Sequence, residues 1–383
     1  MKSNYYNFFG KLLLEVKGEG GRSTSQFRTM YKHFEVSNPE GDPDIVVERT
    51  TEPISSELVL GLPEKYYGWT GSRFVVKKGP EYMAVEPGWK HIYVTPNWEP
   101  FYAIYPVEFM LRSTLALENR ALIHASGIEL DGKTILFPSW RGGGKTNTLM
   151  SLLDAGGNYL ADDRLWVGAD GSVQGFPLTV NLQPFNIESF PSVQEQFGES
   201  DTSPRRRVSQ YIEQNIDPKG SIVGKALTFL NRYYLKERSR SFTDIPTVFP
   251  DAEYVDQSAI DAMVFLTAAP EQDHVSLTEM TTNEAVMATQ AISYYEWNER
   301  LEEYFRAYDS LVPDEQKPDG SAVEQLTHVI DTERKVFEKL YNSVETYRAS
   351  IPRKTNWNES GTDREIVETI QSIGFQPEIE AGD

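Results

Sequence analysis

The chain has 383 residues, no cysteine, and 37 basic against 57 acidic side chains, for a formal net charge of −20. At roughly 150 residues per domain, that length predicts two or three domains, each able to bury its own core. Without cysteine there is no disulfide framework, thiolate zinc site or cysteine nucleophile, and the acidity argues against nucleic acid and anionic membrane as partners, since both call for a basic face. The five histidines, His33, His91, His124, His274 and His328, are scattered and form no metal motif.

The N-terminal apolar stretch is interrupted by Lys11 and Glu15 and lacks a small-residue cleavage site, so it reads as a folded strand rather than a signal peptide. Nowhere do about 18 apolar residues run together, as a membrane span requires, and a cytoplasmic protein is expected. From Tyr5 to about Arg112, short β-type runs (Leu12 to Val16, Ile45 to Val47, Ser72 to Val76, His91 to Val94) alternate with Gly, Pro, Asn and Asp turns. That texture predicts a strand-rich N-terminal domain over residues 1–112. Pro106 to Leu117 carries the apolar content of a helix. Ala121 to Leu130 reads as one strand, Asp131-Gly132 as a two-residue hairpin turn, and Lys133 to Phe137 as the returning strand. Lys145 to Ala155 then reads as a helix stopped by Gly156 and Gly157, and Tyr159 to Ala161 as a further strand.

This strand, loop, helix and strand place an α/β nucleotide-type core over residues 113–282, interrupted by an irregular insertion, 185–255, rich in Pro, Ser, Gln and charge. Within the insertion, Arg205, Arg206 and Arg207 suit a lid whose guanidinium forks close over phosphate or an acidic acceptor, although a basic run is also what a solvated surface carries. Ala262 to Thr267 and Val275 to Leu277 return as strands. Residues 283–383 read as a helical C-terminal region: one apolar stripe runs through Ile292, Tyr295, Leu301, Phe305 and Tyr308, another from Val323 to Val344, and a last helix opens on a capping box from Thr362 to Glu365.

The residues that carry chemistry lie in the core. Ser139-Trp140-Arg141-Gly142-Gly143-Gly144-Lys145-Thr146 fits the phosphate-binding loop (Walker A) pattern G-x-x-x-x-G-K-[ST], with Ser139 in place of the first glycine. Gly142, Gly143 and Gly144 let the backbone curl with its N–H groups inward, Lys145 supplies a point charge to the outer phosphates, Thr146 offers a hydroxyl to Mg²⁺, and the helix that follows adds its positive end. The next strand ends in Asp162-Asp163-Arg164, where one carboxylate can hold Mg²⁺ while the other faces an incoming hydroxyl. His124, on the strand before the hairpin, is either a core histidine or a residue able to reach the γ-phosphate.

The order and spacing of His124-Ala125-Ser126-Gly127, the hairpin, the Gly-Gly-Gly-Lys-Thr loop and Leu160-Ala161-Asp162-Asp163-Arg164 resemble the HPr kinase/phosphorylase family and, more distantly, ATP-using phosphoenolpyruvate carboxykinase. The resemblance spans about residues 120 to 180. It implies a P-loop α/β core in which His124 belongs to the phosphate and metal environment, Lys145 and Thr146 serve phosphate and Mg²⁺, and Asp162 and Asp163 divide metal binding from hydroxyl activation. The expected activity is a Mg²⁺-dependent kinase passing the γ-phosphoryl of ATP to a hydroxyl-bearing peptide, protein or small molecule, with a homo-oligomer left open. The alternative is a non-catalytic nucleotide-binding regulator that contacts a partner protein. A guanine-specific GTPase is disfavoured because no Asn-Lys-x-Asp motif occurs, and a eukaryotic-type protein kinase because no His-Arg-Asp loop occurs.

Overall fold

Alternating apolar residues decide the first third of the chain. In the computed structural model Tyr6 and Phe8 of β1 (Ser3–Phe8), Leu12, Leu14 and Val16 of β2 (Leu12–Lys17) and Ile45 and Val47 of β4 (Ile45–Arg49) are all buried, as a strand with a core-facing side requires. With β3 (Glu35–Val36), β5 (Leu58–Leu62), β6 (Lys65–Trp69), β7 (Phe74–Lys78), β8 (Glu81–Val85) and β9 (His91–Val94) they form a nine-stranded sheet ordered β3-β1-β2-β4-β9-β8-β7-β6-β5. The structure describes residues 2–197, 241–354 and 356–373, with isolated positions between 208 and 231. The lid candidates Arg205, Arg206 and Arg207 lie outside the described residues.

The protein is mixed α/β and divides into two units, neither continuous in sequence. The first comprises Met1–His124, Arg164–Gln174 and Thr281–Val344, the second Ala125–Asp163, Gly175–Met280 and Glu345–Asp383. The boundaries read from sequence follow changes of texture along the chain, whereas the contacts follow the returns of the chain to each core. Among the described residues no helix is long and apolar enough to cross a membrane.

In the first unit the large sheet is joined by α1 (Arg22–Met30), α2 (Pro100–Leu117), and the helices Glu299–Leu311 and Ala322–Ser343. Aromatic residues fill the space between sheet and helices: Phe305 lies 4.7 Å, centroid to centroid, from both Trp89 and Phe109. A buried ion pair sits inside this apolar packing. The Arg112 guanidinium, fully buried, donates to both Glu333 carboxylate oxygens at 2.8 and 2.6 Å and to Asn298 Oδ1 at 2.7 Å. Asn298 closes a π-helical segment, Tyr294–Asn298, that joins the helix Thr282–Ser293 to Glu299–Leu311. A shorter ladder pairs β10 (Arg120–Ile123) antiparallel with Leu165–Gly168.

The second unit is built on a six-stranded sheet. β11 (Ala125–Leu130) and β12 (Lys133–Pro138) are the predicted hairpin, and β13 (Asn158–Ala161) pairs antiparallel with the other side of β11. Parallel to β12 runs Ala262–Ala269, and parallel to that Glu345–Pro352, with Ser276–Glu279 antiparallel at the far edge. Asp261 anchors the β12 neighbour: its carboxylate accepts from the Thr134 amide at 2.8 Å and from Lys133 Nζ at 3.1 Å. Leu149, Leu152 and Leu153 of α3 (Lys145–Asp154) pack into the core with Ile128, Phe137, Ile366 and Ile370.

Four sequence expectations are corrected here. Ala121 to Leu130 is not one strand: it breaks at His124, and β10 and β11 enter different sheets. The region after 283 is not helical throughout, because Glu345–Pro352 is a strand between two others; its buried residues Thr346, Ala349, Ile351 and Pro352 lack a helical period. The insertion 185–255 is ordered at its described ends, with helices Pro184–Ser189 and Pro191–Phe197 and a strand Ser241–Thr243 paired to Val180–Leu182. The last helix, Thr362–Gln371, is capped by Gly361 rather than Thr362.

Candidate functional site

Sheet direction brings the loop and the paired aspartates to one edge. β12 and β13 both run antiparallel to β11, which lies between them, so they run parallel to each other and their C-terminal ends emerge on the same side. Ser139 follows the first end and Asp162 the second. The Thr146 hydroxyl, one residue into α3, lies 3.4 Å from Asp162 Oδ2.

The loop is shaped by two glycines for two different reasons. Gly144 adopts φ +104°, a left-handed conformation that only glycine takes at little cost, and it turns the chain into α3. Gly143 is held by space: an added Cβ would lie 1.8 Å from the Ser139 hydroxyl oxygen. That hydroxyl donates to the Trp140 carbonyl at 3.0 Å, and the Gly143 amide donates to the same carbonyl at 3.0 Å. Ser139, which departs from the motif, and Gly143, which conforms to it, thus occupy complementary volumes. Gly143→Ala is expected to lower stability by about 1–3 kcal/mol through overpacking, and Ser139→Gly in the same chain to restore much of the loss. Additive losses in a denaturant double-mutant cycle would refute the coupling.

Lys145 is nearly buried, and its ammonium donates to the Ser139 carbonyl at 3.0 Å, folding back across the loop. Trp357 backs the turn, with its ring 3.3 Å from where a Cβ on Gly144 would sit, and its amide donates to Ser189 Oγ at 3.2 Å. Sequence reasoning missed this brace because Trp357 and Ser189 lie far from the motif along the chain, with no spacing to connect them. A buried pair, Asn186 to Asn147 at 2.5 Å, ties the helix Pro184–Ser189 to α3 in the same way.

The two aspartates follow β13 in a bend rather than within the strand, so strand alternation does not separate them. Burial does: Asp162 is only 9% exposed, whereas Asp163 is half-buried. Burial pushes the Asp162 carboxyl up to about 7, the Asp163 carboxylate adds to that push, and Lys145 and the Thr146 hydroxyl oppose it. Asp162 Oδ1 is buried without a hydrogen-bond partner, an arrangement that suits a cation. Among the described residues no cluster of three or more His, Cys, Asp or Glu could hold a metal alone. A Mg²⁺ ion would therefore take Thr146 and Asp162 as protein ligands and complete its shell with phosphate oxygens and water, which is its usual habit.

The raised value has a consequence for stability. Folded, Asp162 keeps its proton up to about pH 7; unfolded, it ionises near the ordinary 3.8. Its stabilising contribution is complete below that ordinary value and is lost as pH rises through the folded value. The melting temperature of the metal-free protein should fall between about pH 4 and about pH 7, and Asp162→Asn should flatten the fall. An unchanged pH profile in that variant would remove Asp162 as the cause.

His124 belongs to the first unit, directly after β10. It is buried, its Nε2 lies 3.6 Å from Glu296 Oε1, and its ring meets the Trp297 ring edge-on at 6.0 Å. Glu296 and Trp297 come from the π-helical segment, a partnership no sequence spacing announces. Arg164, next to Asp163 in sequence, pairs with the buried Glu108 of the first unit. No protein-family model matches the chain, and no curated protein matches it as a relative.

Proposed function

We propose that the second unit binds a Mg²⁺-nucleotide at the 139–146 loop and that the protein transfers its γ-phosphoryl to a hydroxyl on a peptide, protein or small molecule, as the resemblance to the HPr kinase/phosphorylase family suggests. The observation that carries the reading is the buried, partly unpartnered Asp162 carboxylate set 3.4 Å from the Thr146 hydroxyl at the start of α3. In this reading the loop amides and Lys145 hold the nucleotide phosphates, while Thr146 and Asp162 hold the metal. Bound Mg²⁺ would neutralise charge developing on the phosphates. Asp163, the more exposed carboxylate, accepts the proton of the acceptor hydroxyl. His124 is assigned to the phosphate environment by the resemblance alone.

The first test is binding. Mg-ATP should raise the melting temperature of the wild-type protein, and Lys145→Ala should fold normally but lose most of that rise. Equal stabilisation of both proteins would refute the loop assignment. The second is turnover with γ-labelled ATP: label on a hydroxyl acceptor supports the kinase, and binding without any transfer or hydrolysis favours the non-catalytic regulator.

A further inference from the structure

The 139–146 loop has two unlike flanks. The sheet of the second unit runs in the order β13, β11, β12, Ala262–Ala269, Glu345–Pro352, Ser276–Glu279, and β12 feeds the loop. On one side of β12, Asp162 follows β13, and the Thr146 hydroxyl lies 3.4 Å from its carboxylate. On the other side, a Cβ added to Gly144 would meet the Trp357 ring at 3.3 Å and Ile351 Cδ1, from the strand Glu345–Pro352, at 3.6 Å. The loop therefore starts its helix between a carboxylate flank and an apolar one.

The apolar flank carries one more element, the helix Pro184–Ser189. Ser189 Oγ accepts from the Trp357 amide, and Asn356 Nδ2 donates to the Glu188 carbonyl at 3.3 Å. A third tie, Asn186 to Asn147, fixes the helix to the first turn of α3, one residue past Thr146. Asn186, Ile187 and Ser189 are buried, yet Phe185 among them is 41% exposed. A single exposed phenyl is ordinary on a protein surface. This one sits on a helix anchored at three points, next to the residue that grips α3.

We propose that Phe185 is the platform on which the base of the bound nucleotide stacks, an inference that rests on the 139–146 loop being a Mg²⁺-nucleotide site. In that reading Thr146 and Asp162 hold the metal, and the metal bridges the two outer phosphates. The γ end of the chain then points to the carboxylate flank. Inner phosphate, ribose and base lead away from Asp162, across the start of α3, to the flank that holds the helix of Phe185. A phenyl face suits this position because every base has a π-face to lay on it. Its anchored helix also presents the ring already ordered, which spares the nucleotide the cost of ordering it.

Calorimetric titration of the full-length chain with Mg-ATP and with Mg-tripolyphosphate, which lacks ribose and base, separates the platform from the loop. Phe185→Ala should weaken Mg-ATP binding about 10-fold or more, the usual scale for removing a stacking ring, and leave Mg-tripolyphosphate binding unchanged. Phe185→Trp, which keeps an aromatic face, should bind Mg-ATP as wild type does. Unchanged ATP affinity in Phe185→Ala would overturn the platform and leave the loop reading standing, as would equal weakening of both ligands. So would a loss of ATP affinity confined to Trp140→Ala, since Trp140, 46% exposed at the start of the loop, is the rival ring. A wild-type protein that binds neither ligand would refute the loop reading itself, and the platform with it.

Discussion

Asp163→Asn should bind Mg-ATP with nearly wild-type affinity and transfer phosphoryl about 10²-fold more slowly or worse, the usual scale for losing a general base. The amide preserves shape and hydrogen bonding but cannot take the acceptor proton. Asp162→Asn should behave differently. It removes the buried carboxylate beside Thr146, so it should raise the Mg²⁺ concentration needed for half-maximal rate, with partial recovery at high Mg²⁺. Single-turnover transfer measured across a Mg²⁺ series, beside ATP affinity, separates the two. Equal transfer by wild type and Asp163→Asn would take the base role away from Asp163, and a Mg²⁺ requirement unmoved in Asp162→Asn would do the same for the metal role.

The largest expected loss of stability lies away from the loop. Arg112→Met should destabilise the protein by about 3–5 kcal/mol, because it leaves the Glu333 carboxylate buried without its cation. The double replacement Arg112→Met with Glu333→Leu should recover much of the loss, since two apolar side chains need no solvation in that space. Chemical denaturation of the two single variants and the double variant measures the coupling. A single variant within about 1 kcal/mol of wild type would show that water reaches the vacated position.

The strand, glycine-rich turn and helix around residues 139–146 were readable in sequence because their demands are local. A strand, a glycine-rich turn and a helix follow one another within residues 133–154, and each leaves a signature of its own. The aspartates were readable as a pair, but their unequal burial was not, because it depends on the bend after β13 and on what packs there. The break at His124 was invisible for a similar reason: Ala121 to Leu130 has unbroken strand character, and only the pairing partners of β10 and β11 split it between two sheets. The strand Glu345–Pro352 went unread because the helix before it runs 22 residues and its apolar stripe continues to Val344 without a glycine or proline stop. Trp357, Ser189 and Glu296 carry no signal at any spacing. They matter only through the neighbours that folding gives them.

The interleaved sequence of the second unit limits how the protein can be cut. A fragment ending at residue 282 would keep the whole 139–146 loop and both aspartates, and by sequence it would look complete. It would lack Glu345–Pro352, which lies between Ala262–Ala269 and Ser276–Glu279, and Trp357, which backs Gly144. The shortened chain would expose the Ala262–Ala269 edge and strand Ser276–Glu279 without its neighbour. Such a fragment should precipitate rather than bind nucleotide, so proteolytic or genetic trimming of this protein has to spare its last hundred residues even when only the loop is wanted.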